Sequence, residues 1–281
     1  MFRKSVILTF LICLSAQLGH AATVIPFKVI NGLILVNAKV NNSEDGWFIY
    51  DTGAYEVLIN GQSDYASNQF SNLNGAIHSQ QVHVKSIELG NFRKFGIKAF
   101  KTDLTALEDY LSIELKGILG SSFFLPREIF FDLKKQVVVI DPEYDVDDFE
   151  FVQSFKLRST NGLSYIYFPY KDHLLKLGLD SGSSSHILSK KSIQKYGIKN
   201  QHASSYRLIT HDGQDVLVRK ILTDINIWET NGGSVFLQKD LEAFNSQLDI
   251  PLDGFLSITS LPYDYLYINK KKDFFGMGYF N

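Results

Sequence analysis

The sequence carries one pattern twice, and this repeat constrains the fold more than any other feature of the chain. An Asn-Gly pair ending at Gly32 precedes Asp51 by 19 positions, and another ending at Gly162 precedes Asp180 by 18. Asp51 opens the triplet Asp-Thr-Gly and Asp180 opens Asp-Ser-Gly. Each copy then continues to an apolar pair framed by small residues and closes with a strand-like run. Both copies have these landmarks in the same order and at nearly the same spacing, which indicates two copies of one structural unit.

The composition of each copy predicts strands rather than helices. Short runs of Val, Ile, Tyr, Phe and Thr are plentiful, and these residues are favoured in strands. The acidic stretch at 141–150 contains Pro142 and few apolar residues, which is typical of a linker. We therefore predict an all-β chain whose two β-barrel-like lobes, at 22–145 and 146–281, are related by a pseudo-twofold axis and face a central cleft.

Local patterns agree with this division. Leu33–Val40 and Gln81–Leu89 are predicted as strands, because each is apolar in a loose alternation and is bounded by turn residues. Ser189–Tyr196 has helical spacing, and Gly197 after it favours a helix end. A short helix is also expected within Thr102–Leu115.

Both aspartates follow apolar runs that are typical of buried strands, so each carboxyl group is expected where a core strand ends in a turn. Gly53 and Gly182 allow backbone conformations in which amide groups point back at the carboxylate. The hydroxyl groups of Thr52 and Ser181 can join the two turns to each other. Either triplet alone is also explained as an ordinary surface turn, in which Asp bonds its own backbone. A pseudo-twofold axis, however, brings both carboxyl groups to one place.

Two carboxyl groups in contact do not both ionise easily, so they share a proton and titrate as a pair. The charged member can take a proton from a water molecule, while the protonated member polarises a carbonyl group. This chemistry needs no metal, no cofactor and no covalent intermediate.

The motifs resemble those of the retropepsin-like and pepsin-like aspartic peptidases, in particular the bacterial single-chain type with two lobes. The matching segments are Phe48–Ala54, Leu179–Ser183 and Gly117–Gly120, and the run from Asp180 to Ile198 is also similar. The resemblance implies the acid protease fold, Asp51 and Asp180 as the catalytic pair, and hydrolysis of peptide bonds without a cofactor.

Some positions depart from the pattern of that family. Ser257 stands where the second apolar pair is normally followed by Gly, so the packing beneath Asp180 is expected to differ. A hairpin that covers the substrate, the flap, is harder to place. Two Gly-containing turns are candidates, and an ordinary surface hairpin is the alternative for both. Their residues are Gly75, Ala76 and Ile77 in the first copy and Asp212 and Gly213 in the second.

The residue after each triplet also differs between the copies, being Ala54 in the first and Ser183 in the second. A hydroxyl group from Ser183 could donate to a carboxylate oxygen and favour its charged form. The hypothesis is that Asp180 ionises more readily and that Asp51 holds the proton.

Residues 1–21 predict a signal peptide. Arg3 gives a positive start, Val6–Leu14 is apolar, and small residues at Gly19 and Ala21 fit a cleavage site. Cleavage after Ala22 is an alternative. The apolar stretch is shorter than the ~20 residues of a membrane span. The expectation is an exported protein, periplasmic or secreted, with no integral membrane span in its mature form.

Charge and cysteine content exclude several classes of function. Lys and Arg number 28 against 30 Asp and Glu, and loss of Arg3 and Lys4 with the signal leaves 26 against 30, so nucleic acid is not an expected partner. Cys13 is the only cysteine and lies in the predicted signal. The mature chain would therefore rely on packing without disulfides, and it offers neither a cysteine nucleophile nor a thiolate metal site.

Three other interpretations compete with the peptidase. The seven histidines show no metal-ligand spacing, and Ser183–Ser185 with His186 lack the glycine pattern of a nucleophile elbow. The remaining rival is a non-catalytic or weakly active peptide-binding protein of the same fold, because a groove between two β lobes can hold an extended peptide without cutting it. In both cases the partner is a peptide or protein in extended conformation, and a monomer is sufficient.

Overall fold

A computed structural model describes residues 22–62, 68–72, 75–144, 146–210, 215–227 and 233–280 of the protein. The elements of the first half of the chain are β1 (Thr23–Ile30), β2 (Leu33–Val40), β3 (Gly46–Asp51), β4 (Val57–Asn60), β5 (Asn68–Asn72), β6 (Gly75–Ser79), β7 (Gln81–Leu89), β8 (Phe92–Thr102), α1 (Thr105–Leu111), β9 (Leu115–Gly120), α2 (Ser121–Phe124), β10 (Ile129–Asp132) and β11 (Val137–Ile140).

The elements of the second half are β12 (Gln153–Thr160), β13 (Leu163–Tyr170), β14 (His173–Asp180), β15 (Ile187–Ser189), α3 (Lys190–Lys195), β16 (Asn200–Ile209), β17 (Asp215–Thr223), β18 (Val235–Lys239), α4 (Glu242–Asn245), β19 (Gly254–Ser257), β20 (Tyr265–Asn269) and β21 (Phe274–Gly278). Two 3-10 helices, at Val146–Asp148 and Ile258–Ser260, complete the described secondary structure.

Strand pairing closes the first lobe into a barrel. Around it, β2 pairs with β3, β3 with β9, β9 with β4, β4 with β8, β8 with β7, and β7 returns to β2. The pairs β3–β9 and β4–β8 are parallel and the others are antiparallel. Inward-facing side chains such as Val36, Phe48, Tyr50 and Leu119 are fully buried and fill the interior.

The second lobe repeats five of these six pairings. The order β13, β14, β19, β15, β18, β17 corresponds to β2, β3, β9, β4, β8, β7, and each pairing keeps its parallel or antiparallel sense. The hairpin of β16 and β17 then extends from the lobe. Because the two halves share one pairing scheme, the sequence repeat is also a structural repeat.

An antiparallel sheet joins the lobes beneath the cleft. Its strand order is β1, β11, β10, β20, β21, β12, and the two halves meet where β10 pairs with β20, with Phe130 opposite Tyr267. Aromatic side chains of 130, 149, 265 and 267 pack on one another at this junction. The expected fold class, all-β with two pseudo-twofold-related lobes, is confirmed. Within the described part of the chain, none of the helices has the length and apolar character needed to cross a membrane.

Candidate active site

Each aspartate lies at the end of a central strand of its lobe. Asp51 is the last residue of β3 and pairs with Gly120 of the parallel strand β9. Asp180 is the last residue of β14 and pairs with Ser257 of the parallel strand β19. The apolar runs before both aspartates are buried because they line the barrel interiors, so the carboxyl groups emerge at the interface between the lobes.

A reciprocal set of hydrogen bonds locks the two turns together. The backbone N–H of Thr52 donates to Oγ of Ser181 over 3.0 Å, and the N–H of Ser181 donates to Oγ1 of Thr52 over 3.0 Å. The Thr52 hydroxyl donates to the carbonyl of Leu179 at 2.9 Å, and the Ser181 hydroxyl donates to that of Tyr50 at 2.7 Å. All four bonds are buried, so each hydroxyl donates to one buried backbone group of the opposite lobe and accepts from another.

The two glycines of the triplets lie directly against the opposite carboxyl groups. A Cβ atom built on Gly53 would lie 2.5 Å from Oδ1 and 2.9 Å from Oδ2 of Asp180, and one built on Gly182 would lie 2.5 Å from Oδ1 of Asp51. Neither glycine position leaves room for a side chain. The absence of a Cβ at both glycines is therefore what allows the carboxyl groups to approach each other.

The two carboxyl groups are hydrogen-bonded to each other, and their surroundings are unequal. Oδ1 of Asp51 accepts the N–H groups of Gly53 at 2.8 Å and Ala54 at 3.0 Å. Oδ1 of Asp180 accepts only the N–H of Gly182 at 2.8 Å among the bonds found in the described structure. Two amide donors favour the charged form of Asp51 more than one favours that of Asp180.

The pKa values of the pair follow this inequality. Burial raises the pKa of Asp180 well above its ordinary value, and the neighbouring charge of Asp51 raises it further. Burial also raises the pKa of Asp51, but the two backbone donors and the bond from Asp180 oppose that shift. The two directions, together with the unequal number of amide donors, favour the shared proton on Asp180 and the charge on Asp51.

This assignment reverses the hypothesis drawn from Ser183. The Ser183 hydroxyl donates to the carbonyl of Ser185 at 2.7 Å and accepts the N–H of Ser185 at 3.4 Å, so it supports its own loop instead of the Asp180 carboxylate. The hypothesis considered side chains, whereas the difference between the two carboxyl groups comes from backbone amides.

One of the two flap candidates lies in a described hairpin, and the other lies outside the described residues. Gly75, Ala76 and Ile77 lie in β6, which forms a hairpin with β5, and β6 contacts helix α4 of the second lobe. Asp212 and Gly213 lie outside the described residues, although the strands on either side, β16 and β17, are described. Helix α1 of the first lobe contacts β16 in the corresponding way. Each hairpin thus reaches the helix of the opposite lobe.

The cleft above the carboxyl groups has apolar walls from both lobes. Leu33, Ile49 and Ile118 line it from the first lobe, and Ile187 and Phe244 line it from the second. Residues 206–209 of β16, and Thr210 directly after it, also line the cleft.

A hydrogen bond across this cleft, between Tyr110 of α1 and Tyr206 of β16, was not predicted from the sequence. Each tyrosine belongs to a different lobe, so no local pattern connects them. Among the described residues, no group of three or more His, Cys, Asp or Glu side chains is placed to hold a metal ion.

Comparisons with known proteins give similarities to solved structures but no match to a curated sequence. No protein-family model and no curated protein matches the sequence. Among solved structures, the chain is similar to the aspartic proteinase from Irpex lacteus, with 14% sequence identity and a TM-score of 0.48. The similarity covers 92% of this chain and 97% of that one. Identity this low carries no information about substrate or activity.

Proposed function

We propose that the protein is an aspartic endopeptidase in which Asp51 and Asp180 activate a water molecule to hydrolyse peptide bonds. The observation that carries the proposal is the hydrogen-bonded pair of carboxyl groups at the floor of an apolar cleft. Contact between two carboxyl groups is what a shared proton requires, and unequal hydrogen bonding favours one protonated and one charged member. Surface turns would not place two carboxyl groups in contact.

The geometry supports a division of roles. The Asp51 carboxylate accepts a proton from water as the water oxygen attacks the peptide carbonyl carbon. Asp180 donates its proton to the carbonyl oxygen, giving a tetrahedral diol. The diol then collapses, the C–N bond breaks, and the proton held by Asp51 passes to the leaving nitrogen. Asp180 recovers a proton from the diol hydroxyl, so the pair returns to its starting state.

The substrate proposed is an extended peptide with apolar side chains on both sides of the cleaved bond. Apolar residues of both lobes flank the carboxyl pair, and burial of apolar surface there would favour such side chains. The strands of the two hairpins offer backbone groups to an extended chain.

The test is peptide cleavage across a broad pH range by the parent chain and by Asp51→Asn and Asp180→Asn. Each substitution alone should lower kcat/KM by at least about 10³-fold, and the double variant should be little worse, because the two groups act as a unit. Asp172→Asn, on the exposed turn between β13 and β14, is the matched control and should cleave like the parent. Cleavage that survives either active-site substitution would end the proposal.

The rival function, peptide binding without hydrolysis, predicts a different result. The parent chain would bind apolar peptides in calorimetry, yet show no turnover and no pepstatin-sensitive activity at any pH. The departure from the family pattern at Ser257 would suit this rival, but the hydroxyl and the N–H of Ser257 are both hydrogen-bonded to the loop after Asp180.

The remaining expectations form part of the same proposal. The chain is exported to the periplasm or beyond after removal of residues 1–21, its lobes are 22–145 and 146–281, and it acts as a monomer. The support is the charge and apolar pattern of the N-terminal segment and the presence of both aspartates in one chain. Mass spectrometry of the exported protein would identify the mature terminus.

A further inference from the structure

The loop after Asp51 is held by backbone amides. The carbonyls of Ala54 and Tyr55 accept the N–H groups of Ser121 and Ser122, at 2.8 and 2.9 Å, from the start of α2. A Cβ atom on Gly120 would collide with the backbone of this loop. The loop therefore packs directly on the main chain, which requires glycine at the end of β9.

The loop after Asp180 is held by side chains instead. Ser257 occupies the position equivalent to the last glycine of β9 and is fully buried. Its hydroxyl donates to the carbonyl of Ser183 at 2.6 Å, and its N–H donates to Nδ1 of His186 at 3.0 Å. The hydroxyl of Ser260 donates to the carbonyl of Ser184 at 3.0 Å. Side-chain hydroxyls thus bond the two carbonyls that correspond to those bonded by amides in the first lobe.

We propose that Ser257 and His186 are positioning residues that hold the Asp180 loop in place, and that they do so only while the imidazole of His186 is neutral. The inference rests on the proposed function, because it assigns these residues to the same carboxyl pair. The bond at His186 requires Nδ1 to accept a hydrogen. An imidazolium carries a hydrogen on both nitrogens, so a protonated His186 would oppose the Ser257 N–H with a second donor.

The surroundings of His186 make its protonation costly but attainable in acid. The ring of Phe236 on β18 packs at 5.6 Å, and Leu237 donates its N–H to the carbonyl of His186. Titratable residues of the neighbouring strands are His173, Lys176 and Asp180 on β14 and Lys239 on β18, and Asp253 lies just before β19. Burial lowers the pKa of His186 to about 4. Below this pH the hydrogen bond between Ser257 and His186 should break, and the rate of proteolysis should fall.

A pair of substitutions separates the hydrogen bond from packing. Asn at position 186 offers a carbonyl oxygen near the place of Nδ1 and does not titrate, whereas Phe keeps the bulk and removes the acceptor. His186→Asn should keep kcat/KM within about threefold of the parent at pH 5–6 and extend activity below pH 4. His186→Phe and Ser257→Ala should each lower kcat/KM about tenfold or more at every pH, because the carboxyl geometry shifts. Equal activity of His186→Phe and the parent, with the same fall in acid, would overturn the proposal.

A readout independent of activity separates this inference from the proposed function. The backbone amide resonance of Ser257 should titrate with a midpoint near pH 4 in the parent chain, and this transition should vanish in His186→Asn. An amide that is unperturbed from pH 3 to 6 in the parent would refute the arrangement, even if the protein cuts peptides. A titrating amide in a chain that cuts nothing would retain the arrangement and reject the peptidase.

Discussion

Replacement of Gly182 by Ala tests whether the close approach of each glycine to the opposite carboxyl group is required. The backbone of Gly182 is not in the left-handed region, so Ala is acceptable there on conformational grounds. The new Cβ atom would nevertheless lie 2.5 Å from Oδ1 of Asp51. Non-bonded heavy atoms normally stay about 3.5 Å apart, so the Asp51 carboxyl group must move by about 1 Å.

A displacement of this size has two measurable consequences. Misplacing a catalytic group by about 1 Å costs on the order of 10²-fold in rate, which corresponds to about 2.7 kcal/mol of transition-state stabilisation. Overpacking at a buried site costs about 1–3 kcal/mol of unfolding free energy. Gly182→Ala should therefore lower kcat/KM for an apolar peptide about 100-fold while it lowers stability only moderately. Gly53→Ala should behave alike, because its Cβ would meet Asp180 in the same way.

The control is a glycine whose substitution costs stability without touching the site. Gly197 has a φ of 59° and no atom within 4 Å of an added Cβ. Gly197→Ala should destabilise the protein by about 1–2 kcal/mol through backbone strain and leave kcat/KM unchanged. Cleavage kinetics and urea unfolding of the three variants test this prediction. If Gly182→Ala folds and its kcat/KM is within about threefold of the parent value, then glycine is not required at this position to avoid steric contact with Asp51.

Two other substitutions test the contacts around the site. Ser181→Ala should lower the free energy of unfolding by about 2–4 kcal/mol in urea titrations, because the N–H of Thr52 and the carbonyl of Tyr50 lose their buried partner; an unchanged midpoint would contradict this. Lys270→Met should stabilise the protein at pH 7, because burial lowers the pKa of Lys270 to about 8 and folding therefore disfavours its charged form. The folded protein binds fewer protons than the unfolded chain between about pH 8 and 10.5, so parent stability should rise across this window. The gain from Lys270→Met, about 1–2 kcal/mol after loss of the bond to the Gly162 carbonyl, should disappear near pH 10.5, and a gain that persisted there would refute the reasoning.

Much of the local structure follows from sequence patterns. The strands predicted at Leu33–Val40 and Gln81–Leu89 have these bounds in the structure. The helix predicted over Ser189–Tyr196 forms at Lys190–Lys195, with Gly197 just after it in the left-handed region. These elements are predictable because hydrophobic alternation, helical spacing and turn glycines act over a few residues.

The repeat carried enough information to predict that the two turns meet. A pseudo-twofold relation between two Asp-hydroxyl-Gly triplets requires their turns to meet, and the turns do meet through Thr52 and Ser181. The roles of Ser183 and Ser257 were not predictable in this way. The hydroxyl of Ser183 donates to the carbonyl of Ser185. Ser257 is accommodated because its side chain hydrogen-bonds the loop after Asp180. Both outcomes depend on the backbone path of the loop after Asp180, which the identity of these residues does not specify.

The sequence alone therefore determined that two similar β units exist and that each presents a carboxyl group at the end of a buried strand. Only the tertiary structure decided which carboxyl group holds the shared proton, since the answer depends on the number of backbone amides aimed at each oxygen. It also decided that each hairpin meets a helix of the other lobe. Such contacts join residues far apart in the chain, and their geometry is set by the packing of whole lobes instead of by any local pattern.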